Sequence, residues 1–125
     1  MRVAVVLPMF NEAGNVAALM ERLAAVRTRS GLELTALAID DGSRDETAPR
    51  LAEAATSYQF LRVVRHERNR GMAAALRTGI AAALAERRPA FDALAFMDAD
   101  LTHAPEDLPR LIEPIAVDRA DFVLG

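Results

Sequence analysis

Short apolar runs alternate with helical segments along this whole chain, and this alternation restricts the fold more than any other feature. Five runs rich in aliphatic or β-branched residues have the pattern of buried strands: 3–7, 34–39, 60–64, 93–97 and 122–124. Between them, apolar residues recur three and four positions apart within 16–26, 51–58, 72–84 and 108–115. Because strands joined by helices form right-handed crossovers, the pattern predicts an α/β fold. We expect a doubly wound, mostly parallel sheet with helices on both faces.

Residues 1–125 are expected to form a single unit. The turn signals at Ser30–Gly31 and Arg88–Pro89 fit helix ends inside one domain. A terminal parallel strand is normally followed by an element that covers its faces, yet nothing follows the run 122–124. We therefore expect the chain to be the N-terminal part of a longer domain.

Charge and composition exclude several classes of function. The net charge of −3 gives no general attraction to nucleic acid or to an anionic bilayer. The absence of cysteine excludes disulfides, thiolate zinc sites and thiol nucleophiles. The longest apolar run, 3–10, is far shorter than the roughly 20 residues that span a bilayer. We expect a cytoplasmic protein without a secretory signal, peripheral at the cytoplasmic face of a membrane.

Polar residues follow each of the first four predicted strands. They are Pro8, Asn11 and Glu12; Asp40, Asp41, Gly42, Ser43 and Asp45; His66, Asn69, Arg70 and Gly71; and Asp98, Asp100, Thr102 and His103. Open parallel sheets bind ligands beyond the carboxyl ends of their strands. The sequence therefore predicts a polar binding site at one rim of the sheet.

Helix capping is the alternative interpretation for part of this set. Asp, Asn, Ser and Thr at a strand-to-helix turn are common helix caps, and this applies to Asn11, Glu12, Ser43, Asp45 and Thr47. The two histidines of the chain are expected to be rim residues and not metal ligands.

Asp98 and Asp100 are the strongest signal for chemistry. Their spacing at a strand end puts two carboxylates on the same side, where they repel each other unless a positive group joins them. That partner is either an arginine or a hard divalent cation. With Thr102 beside them, the oxygens suit Mg²⁺ or Mn²⁺ shared with substrate phosphates.

Other chemistries fit the composition less well. The segment 98–102 also matches the aspartyl nucleophile of haloacid-dehalogenase-like phosphatases, and Asp40 with Asp41 matches response-regulator receivers. Both classes use a lysine, and this chain has none. The loop after the first strand does not have the glycine pattern of a dinucleotide-binding fold. It is also neither basic nor glycine-rich, unlike the corresponding loop of nucleotidyltransferases.

Four motifs in order resemble glycosyltransferase family 2, which has the GT-A fold, and within it the dolichol-phosphate or polyprenol-phosphate mannosyltransferases. They are Pro8-x-x-Asn11-Glu12, the run Asp40 to Thr47, Asn69-Arg70-Gly71 followed by Arg77-Thr78-Gly79, and the run Met97 to Leu108. The resemblance covers nearly the whole chain.

The resemblance implies roles for individual residues. The nucleotide would be bound by Pro8, Asn11, Glu12, Asp40, Asp41, Gly42, Ser43, Asn69, Gly71 and Asp98. Asp98 and Asp100 would be the catalytic residues and, with Thr102, the ligands of Mg²⁺ or Mn²⁺. Arg68, Arg70 and Arg77 would meet the donor phosphate or an anionic lipid acceptor, or would form a solvated helix face.

The implied reaction is an inverting transfer of a sugar, mannose from GDP-mannose, to a polyprenyl or dolichyl phosphate at a membrane surface. A UDP-sugar donor, UDP-glucose among them, and a non-catalytic nucleotide-sugar-binding module are the alternatives. Family members continue beyond the position of Gly125 into a Ser-Arg pair and an acceptor-facing segment. We therefore expect these 125 residues alone to bind nucleotide weakly and to turn over poorly or not at all.

Overall fold

The computed structural model describes residues 1–86 and 89–125, in which four strands alternate with four α-helices. Their bounds are β1 Arg2–Met9, α1 Val16–Ser30, β2 Glu33–Asp40, α2 Thr47–Ser57, β3 Leu61–Arg65, α3 Met72–Ala85, β4 Ala93–Phe96 and α4 Leu108–Ala116. Short 3₁₀ turns at Ala13–Asn15 and Pro105–Asp107 precede α1 and α4. The α/β class is confirmed, and the first four predicted strands end within two residues of the observed ones.

The four strands are parallel and lie in the order β3-β2-β1-β4. Val6 of β1 pairs with Leu37 of β2 on one side and with Phe96 of β4 on the other. The chain runs outward from β1 to β3 and then crosses to the opposite side for β4. The direction of winding therefore reverses beside β1, and this arrangement leaves a crevice at the carboxyl ends of β1 and β4.

Helices cover both faces of the sheet, as predicted. On one face, Val3, Val5 and Leu7 of β1 pack in a cluster with Leu19, Met20 and Leu23 of α1, Leu51 of α2 and Ile112 of α4. On the other face, Ala4, Val6, Leu37 and Ile39 pack against Ala75 and Ala83 of α3. Because β1 is covered on both sides, its residues 3–7 are fully buried. The crevice therefore lies at the end of a strand that is fixed by packing on both faces.

The buried face of α3 differs from the predicted one. The sequence pattern selects Met72, Leu76, Ile80 and Leu84, but Met72 is 56% and Leu84 is 64% exposed. The helix buries its small residues instead: Ala74, Ala75, Gly79 and Ala83. A Cβ atom at Gly79 would lie 2.3 Å from Val6 Cγ1, so α3 lies too close to β1 for a side chain there. Close approach favours the small residues, so Met72 and Leu84 are exposed while Leu76 packs at the edge of the cluster.

The prediction of a fifth strand at 122–124 is wrong. This segment has no regular secondary structure, and Phe122 is 76% and Leu124 84% exposed. Ordering a backbone costs conformational entropy that only burial can offset, and these side chains bury little surface.

The turn predicted at Ser30–Gly31 is confirmed, because Gly31 ends α1 in a left-handed conformation with φ of 71°. In the turn predicted at Arg88–Pro89, Arg88 lies outside the described residues. Over the described ranges, no helix combines the length and the apolarity that crossing a bilayer requires.

Candidate nucleotide-binding site

A cleft of about 280 Å³ lies at the carboxyl ends of β1 and β4. It is lined by Pro8, Met9, Phe10, Glu12, Asp41, Asn69, Gly71, Met72, Ala75, Asp98, Ala99 and Asp100. All four polar loops predicted to meet at the rim contribute to this lining. A larger cavity of about 580 Å³ beside β4 is mostly apolar and holds none of the predicted site residues, so we place the chemistry in the smaller cleft.

Asp41 forms one wall of the cleft and is held by three hydrogen bonds. Its Oδ1 accepts from Arg70 N at 2.9 Å and is 2.7 Å from His66 Nδ1, while Oδ2 accepts from Gly71 N at 2.9 Å. Only 4% of Asp41 is exposed. The carboxylate is therefore fixed in place before any ligand arrives.

The environment of Asp41 favours its charged form. Burial raises the pKa of this carboxyl, but the hydrogen bonds from His66, Arg70 N and Gly71 N outweigh burial and hold the pKa below its usual value of 3.8. The two amides also belong to the N-terminal end of α3, where the helix dipole stabilises a negative charge.

His66 is not a rim residue, contrary to the prediction. It is 6% exposed and lies between Asp41 and α3, with Nε2 2.7 Å from Thr78 Oγ1. Its backbone N donates to Asp40 O at 2.9 Å, which extends the pairing of β2 and β3 by one step. The sequence analysis listed His66 at the rim and Thr78 in a motif but gave neither a binding role, because no sequence pattern indicates that a residue after β3 contacts one in the middle of α3.

Asp40 is the neighbouring carboxylate and has a different environment. It is fully buried and does not line the cleft. Its Oδ1 accepts from Ser43 N at 3.0 Å, and Arg65 Nε lies 3.6 Å from Oδ2. Of the two aspartates predicted to hold the nucleotide, the structure brings only Asp41 to the cleft.

Side chains predicted to bind nucleotide instead tie the first two loops together. Asn11 N donates to Ser43 Oγ at 2.9 Å, Arg44 N donates to Asn11 Oδ1 at 2.9 Å, and Glu12 N donates to Thr47 Oγ1 at 2.8 Å. Asn11 has a positive φ of 54°, which this residue type tolerates. These bonds keep Pro8 and Glu12 in the cleft wall.

Capping explains only a small part of this network. Asp45 Oδ1 accepts from Thr47 N at 2.9 Å, at the first residue of α2. Ser43 does not act on a helix end, since its hydroxyl accepts from Asn11 N. The capping interpretation therefore fits Asp45 alone, while Ser43 and Thr47 connect the two loops.

Gly42 allows two loops to touch. It has a φ of 71°, and a Cβ there would lie 2.3 Å from Arg68 C and 2.4 Å from Asn69 N. Only glycine combines this conformation with such a close approach of backbones. Gly42 does not line the cleft, and it positions the loop that carries Asn69 and Gly71.

Asp98 and Asp100 form the opposite wall and are held more loosely. Asp98 is partly exposed, and its N donates to His103 Nδ1 at 3.0 Å. Asp100 is exposed, and its Oδ1 accepts from Thr102 Oγ1 at 2.6 Å and from Thr102 N at 3.0 Å. The hydrogen bonds from the Thr102 hydroxyl and amide lower the pKa of Asp100. Thr102 thus supports Asp100 and does not itself line the cleft.

The turn between these residues has an unusual backbone. Leu101 has a φ of 67°, a conformation that costs a non-glycine residue about 1 kcal/mol or more. Its side chain packs against the core cluster on the α1 face. This turn brings Thr102 back onto Asp100.

The cleft lining is acidic. It includes Glu12, Asp41, Asp98 and Asp100, and within the described residues it contains no basic side chain. Arg68, Arg70 and Arg77 are exposed and lie outside the lining. An anionic ligand entering here needs a cation to offset repulsion from Asp98 and Asp100.

The donor atoms fit a shared cation better than an enclosed metal site. Residues 1–86 and 89–125 contain no group of three His, Cys, Asp or Glu side chains arranged to hold a metal ion. Asp98 and Asp100 supply carboxylate oxygens, which hard divalent cations prefer. The chemistry of this pair therefore suits a cation that takes its remaining ligands from a bound phosphate group and water.

Two apolar residues of the cleft were not predicted. Phe10 is 42% and Met72 56% exposed, and both line the opening. The sequence analysis placed Phe10 in a strand-like apolar run and Met72 on a buried helix face. Both residues lie next to polar motifs in the sequence, and this position could have indicated a place in the cleft. The apolar periodicity was given more weight and indicated burial instead.

The parallel α/β sheet with an acidic cleft at its switch point belongs to the class of open, doubly wound folds that bind ligands beyond the carboxyl ends of their strands. Residues 4–125 match the family model described as Glycosyl transferase family 2, and the chain belongs to that family.

Similar proteins agree with this assignment. The chain is 32% identical to a dolichol-phosphate mannosyltransferase of Pyrococcus furiosus over 100% of its length and 33% of that protein. It is 35% identical to an undecaprenyl-phosphate 4-deoxy-4-formamido-L-arabinose transferase of Pectobacterium atrosepticum, over 89% of this chain and 32% of that one. The chain thus spans about a third of these relatives. The predicted resemblance is confirmed.

A solved structure confirms the fold. A mannosyltransferase from Pyrobaculum calidifontis, in complex with GDP-Man and Mn²⁺, superposes with a TM-score of 0.71 at 24% identity. The match covers 90% of this chain and 31% of that one. The sheet and helices described above are therefore the N-terminal part of a GT-A fold.

Proposed function

We propose that this chain is the nucleotide-sugar-binding part of an inverting glycosyltransferase, and that the whole protein transfers a sugar to a polyprenyl or dolichyl phosphate. One observation carries the proposal: the fixed carboxylate of Asp41 and the pair Asp98 and Asp100 line the same cleft from opposite strands. A nucleoside and a diphosphate are joined in one ligand, and these two walls offer a separate partner to each. Both relatives named above act on polyprenyl-type phosphates, according to their names.

Asp98 and Asp100 would hold Mg²⁺ or Mn²⁺, which supplies positive charge for the diphosphate leaving group. Their carboxylate oxygens, and the acidity of the cleft, support this assignment. The two hydrogen bonds from Thr102 lower the pKa of Asp100, so its carboxylate stays ionised further into the acidic range. In the solved mannosyltransferase the bound ion is Mn²⁺.

The transfer itself is a displacement at the anomeric carbon. An oxygen of the acceptor phosphate forms the new bond on one face, and the bond to the diphosphate oxygen breaks on the other, so the configuration inverts. The electron pair of the broken bond stays on the diphosphate. A phosphate acceptor is already ionised at neutral pH and needs no general base. Asp98, which is partly exposed in the cleft, would face the donor sugar or ribose.

The nucleoside is assigned to the wall formed by Pro8, Glu12 and Asp41, next to Asn69 and Gly71. GDP-mannose is the first candidate donor, since mannosyltransferases are among the similar proteins. The exposed faces of Phe10 and Met72 add apolar surface for a base or sugar.

A uridine donor is the second candidate, and the bonding of Asp41 favours it. A carboxylate accepts about four hydrogen bonds, two at each oxygen. Oδ1 already receives two, from His66 and Arg70 N, and Oδ2 receives one, from Gly71 N. The single free position suits the one imide N–H of uracil better than the paired N–H groups of guanine.

The lipid phosphate is assigned to the basic surface outside the cleft. Arg68, Arg70 and Arg77 are exposed beside α3, and Met72 lies between them in the sequence. The phosphate of an anionic acceptor would pair with these exposed guanidinium groups.

Calorimetric titration tests the proposal. We expect the chain to bind GDP-mannose or UDP-glucose in the presence of Mn²⁺, and Asp100→Ala to weaken that binding by roughly 10- to 100-fold, the usual effect of losing one ligand or its support. Glu106→Ala is the matched control, because this exposed acid lies in the same region of the chain and pairs with Arg22 outside the cleft. Binding that ignores both Mn²⁺ and Asp100 would contradict the metal assignment. No binding of either donor would contradict the proposed function.

A further inference from the structure

Asp41, His66 and Thr78 form a chain of hydrogen-bonded side chains behind the cleft wall that Asp41 lines. Asp41 Oδ1 is 2.7 Å from His66 Nδ1, and His66 Nε2 is 2.7 Å from Thr78 Oγ1. Side chains of Asp41 and His66 are 6% and 5% exposed. His66 does not line the cleft, so it reaches the ligand site only through Asp41.

The partners of the imidazole define its proton. An ionised carboxylate only accepts hydrogen bonds, so the proton of this short contact belongs to Nδ1. A threonine hydroxyl both donates and accepts, and Thr78 can therefore donate to Nε2. The contact with Asp41 therefore requires a proton on Nδ1, and the contact with Thr78 holds the Nε2 side of the ring.

This hydrogen bond does something that the backbone amides alone do not. Arg70 N and Gly71 N lie in the loop before α3, and they hold both carboxylate oxygens from that side. His66 approaches from the end of β3, a different element, and is itself fixed by its N–H bond to Asp40 O. With contacts from two elements, rotation of the carboxylate is blocked.

We propose that His66 is a positioning residue for nucleotide binding: by donating from Nδ1 it fixes the Asp41 carboxylate and leaves one acceptor position facing the ligand. The inference rests on the proposed function, because it presumes that Asp41 meets a nucleotide. It adds a residue that touches neither substrate nor metal, and it assigns to Thr78 the role of orienting His66.

Two substitutions of the same residue separate positioning from packing. In His66→Asn the amide nitrogen stands where Nδ1 stood, one bond from Cγ, and can still donate to Asp41. In His66→Gln the amide lies one bond further out, near the position of Nε2, and the donor to Asp41 is lost. Both variants lose the ring, so a merely structural role predicts equal damage.

The experiment measures binding of UDP and of GDP, each with Mn²⁺, to the full chain and its variants. We expect His66→Asn to stay within about threefold of the unsubstituted chain and His66→Gln to bind roughly tenfold more weakly, the usual effect of losing a hydrogen bond to a charged group. Thr78→Val should have an effect between these two. Equal affinity of the Asn and Gln variants would overturn the inference.

Nitrogen NMR of the imidazole tests the same inference in the unsubstituted chain, where folding of a variant is not in question. The chain has two histidines, so His66 and the exposed His103 are readily distinguished. We expect a protonated Nδ1 for His66. An Nε2–H tautomer would overturn the inference even if nucleotide binds. If neither nucleotide binds the unsubstituted chain, the proposed function and the positioning role both fail, whatever the tautomer.

Discussion

The two walls of the cleft are built in different ways. The wall formed by Asp41 and Gly71, which we call the inner wall, contains a buried carboxylate that accepts hydrogen bonds from His66, next to the end of β3, and from the start of α3. In the loop 98–103, the outer loop, Asp100, Thr102 and His103 are exposed, and the hydrogen bonds of Asp98 and Asp100 are made with His103 and Thr102 of the same loop. One wall is fixed by the fold and the other by its own short-range contacts.

This difference follows from what each wall is proposed to bind. A base offers a few directional hydrogen bonds, and a preformed partner binds it without an ordering cost. Mg²⁺ keeps several waters and is held by one or two carboxylates together with substrate phosphates, so a short loop that carries those carboxylates is sufficient. The backbone of the outer loop is strained at Leu101, where φ is 67°. Strain of this kind is common at binding sites, where the turn is retained for function and not for stability.

The largest effect should come from breaking the support of the inner wall at Gly42. In Gly42→Ala the new Cβ would meet the backbone of Arg68 and Asn69 at 2.3 and 2.4 Å, so the two loops must separate. We expect the free energy of unfolding to fall by about 3 kcal/mol, from overpacking and the unfavourable φ together. Urea denaturation measures this loss.

Gly31→Ala is the matched control. Gly31 has the same φ of 71°, but nothing lies within 4 Å of a Cβ there. Only the conformational cost of about 1 kcal/mol should remain. If the two variants lose equal stability, the contact between the loops is not what requires a glycine at position 42.

Substitution of Asp41 should lower the free energy of unfolding by a smaller amount than Gly42→Ala, but by more than substitution of Asp98. Asp41→Asn replaces one carboxylate oxygen with an amide that donates, so a buried N–H from His66, Arg70 or Gly71 loses its acceptor. We expect a loss of about 2 kcal/mol at neutral pH, the usual penalty for a buried unpaired group. Asp98→Asn, at a partly exposed position, should lose less than about 0.5 kcal/mol.

The pH dependence of stability checks this comparison independently. Because the pKa of Asp41 is lowered in the folded chain, its stabilising contribution is present above its usual pKa of 3.8 and is lost as the pH falls through the folded value. The difference between wild type and Asp41→Asn should therefore shrink below pH 3.8. A difference that stays constant to low pH would contradict a charged, hydrogen-bonded Asp41.

The sequence predicted the fold well because its signals were local and strong. Four apolar runs gave four strands, and the alternation gave a parallel sheet with helices on both faces. The pattern failed at α3, where Gly79 brings the helix close to Val6 and the alanines pack in place of Met72 and Leu84. The distance between a helix and its sheet depends on both partners and is not written in either segment alone.

The site was predicted as a set of loops, but the direction of each side chain was not. Both adjacent aspartates were predicted to bind the nucleotide, and only the structure distinguishes Asp41 in the cleft from Asp40, whose carboxylate accepts from Ser43 N. The role of His66 was not predicted, because its hydrogen-bond partner Thr78 is twelve residues away on another element. Motif spacing indicates which residues come near a rim, whereas contacts across loops decide which of them face it.

The smallest effect is expected in the outer loop, where removal of the Thr102 hydroxyl should change the pKa of Asp100. Thr102→Val keeps the side-chain shape and the backbone N–H bond to Asp100 but removes the hydroxyl, the largest cause of the lowered pKa of Asp100. The pKa of Asp100 should rise towards its usual value, so Mn²⁺-dependent nucleotide binding should be lost at a higher pH on acidification than in wild type. Binding at neutral pH should change little, since the carboxylate stays ionised there. Titrations across the acidic range measure this shift, with Thr28→Val, on the exposed surface of α1, as the control. An unchanged acid limit would mean that Thr102 does not set the charge of Asp100, and that the outer loop holds its carboxylates by position alone.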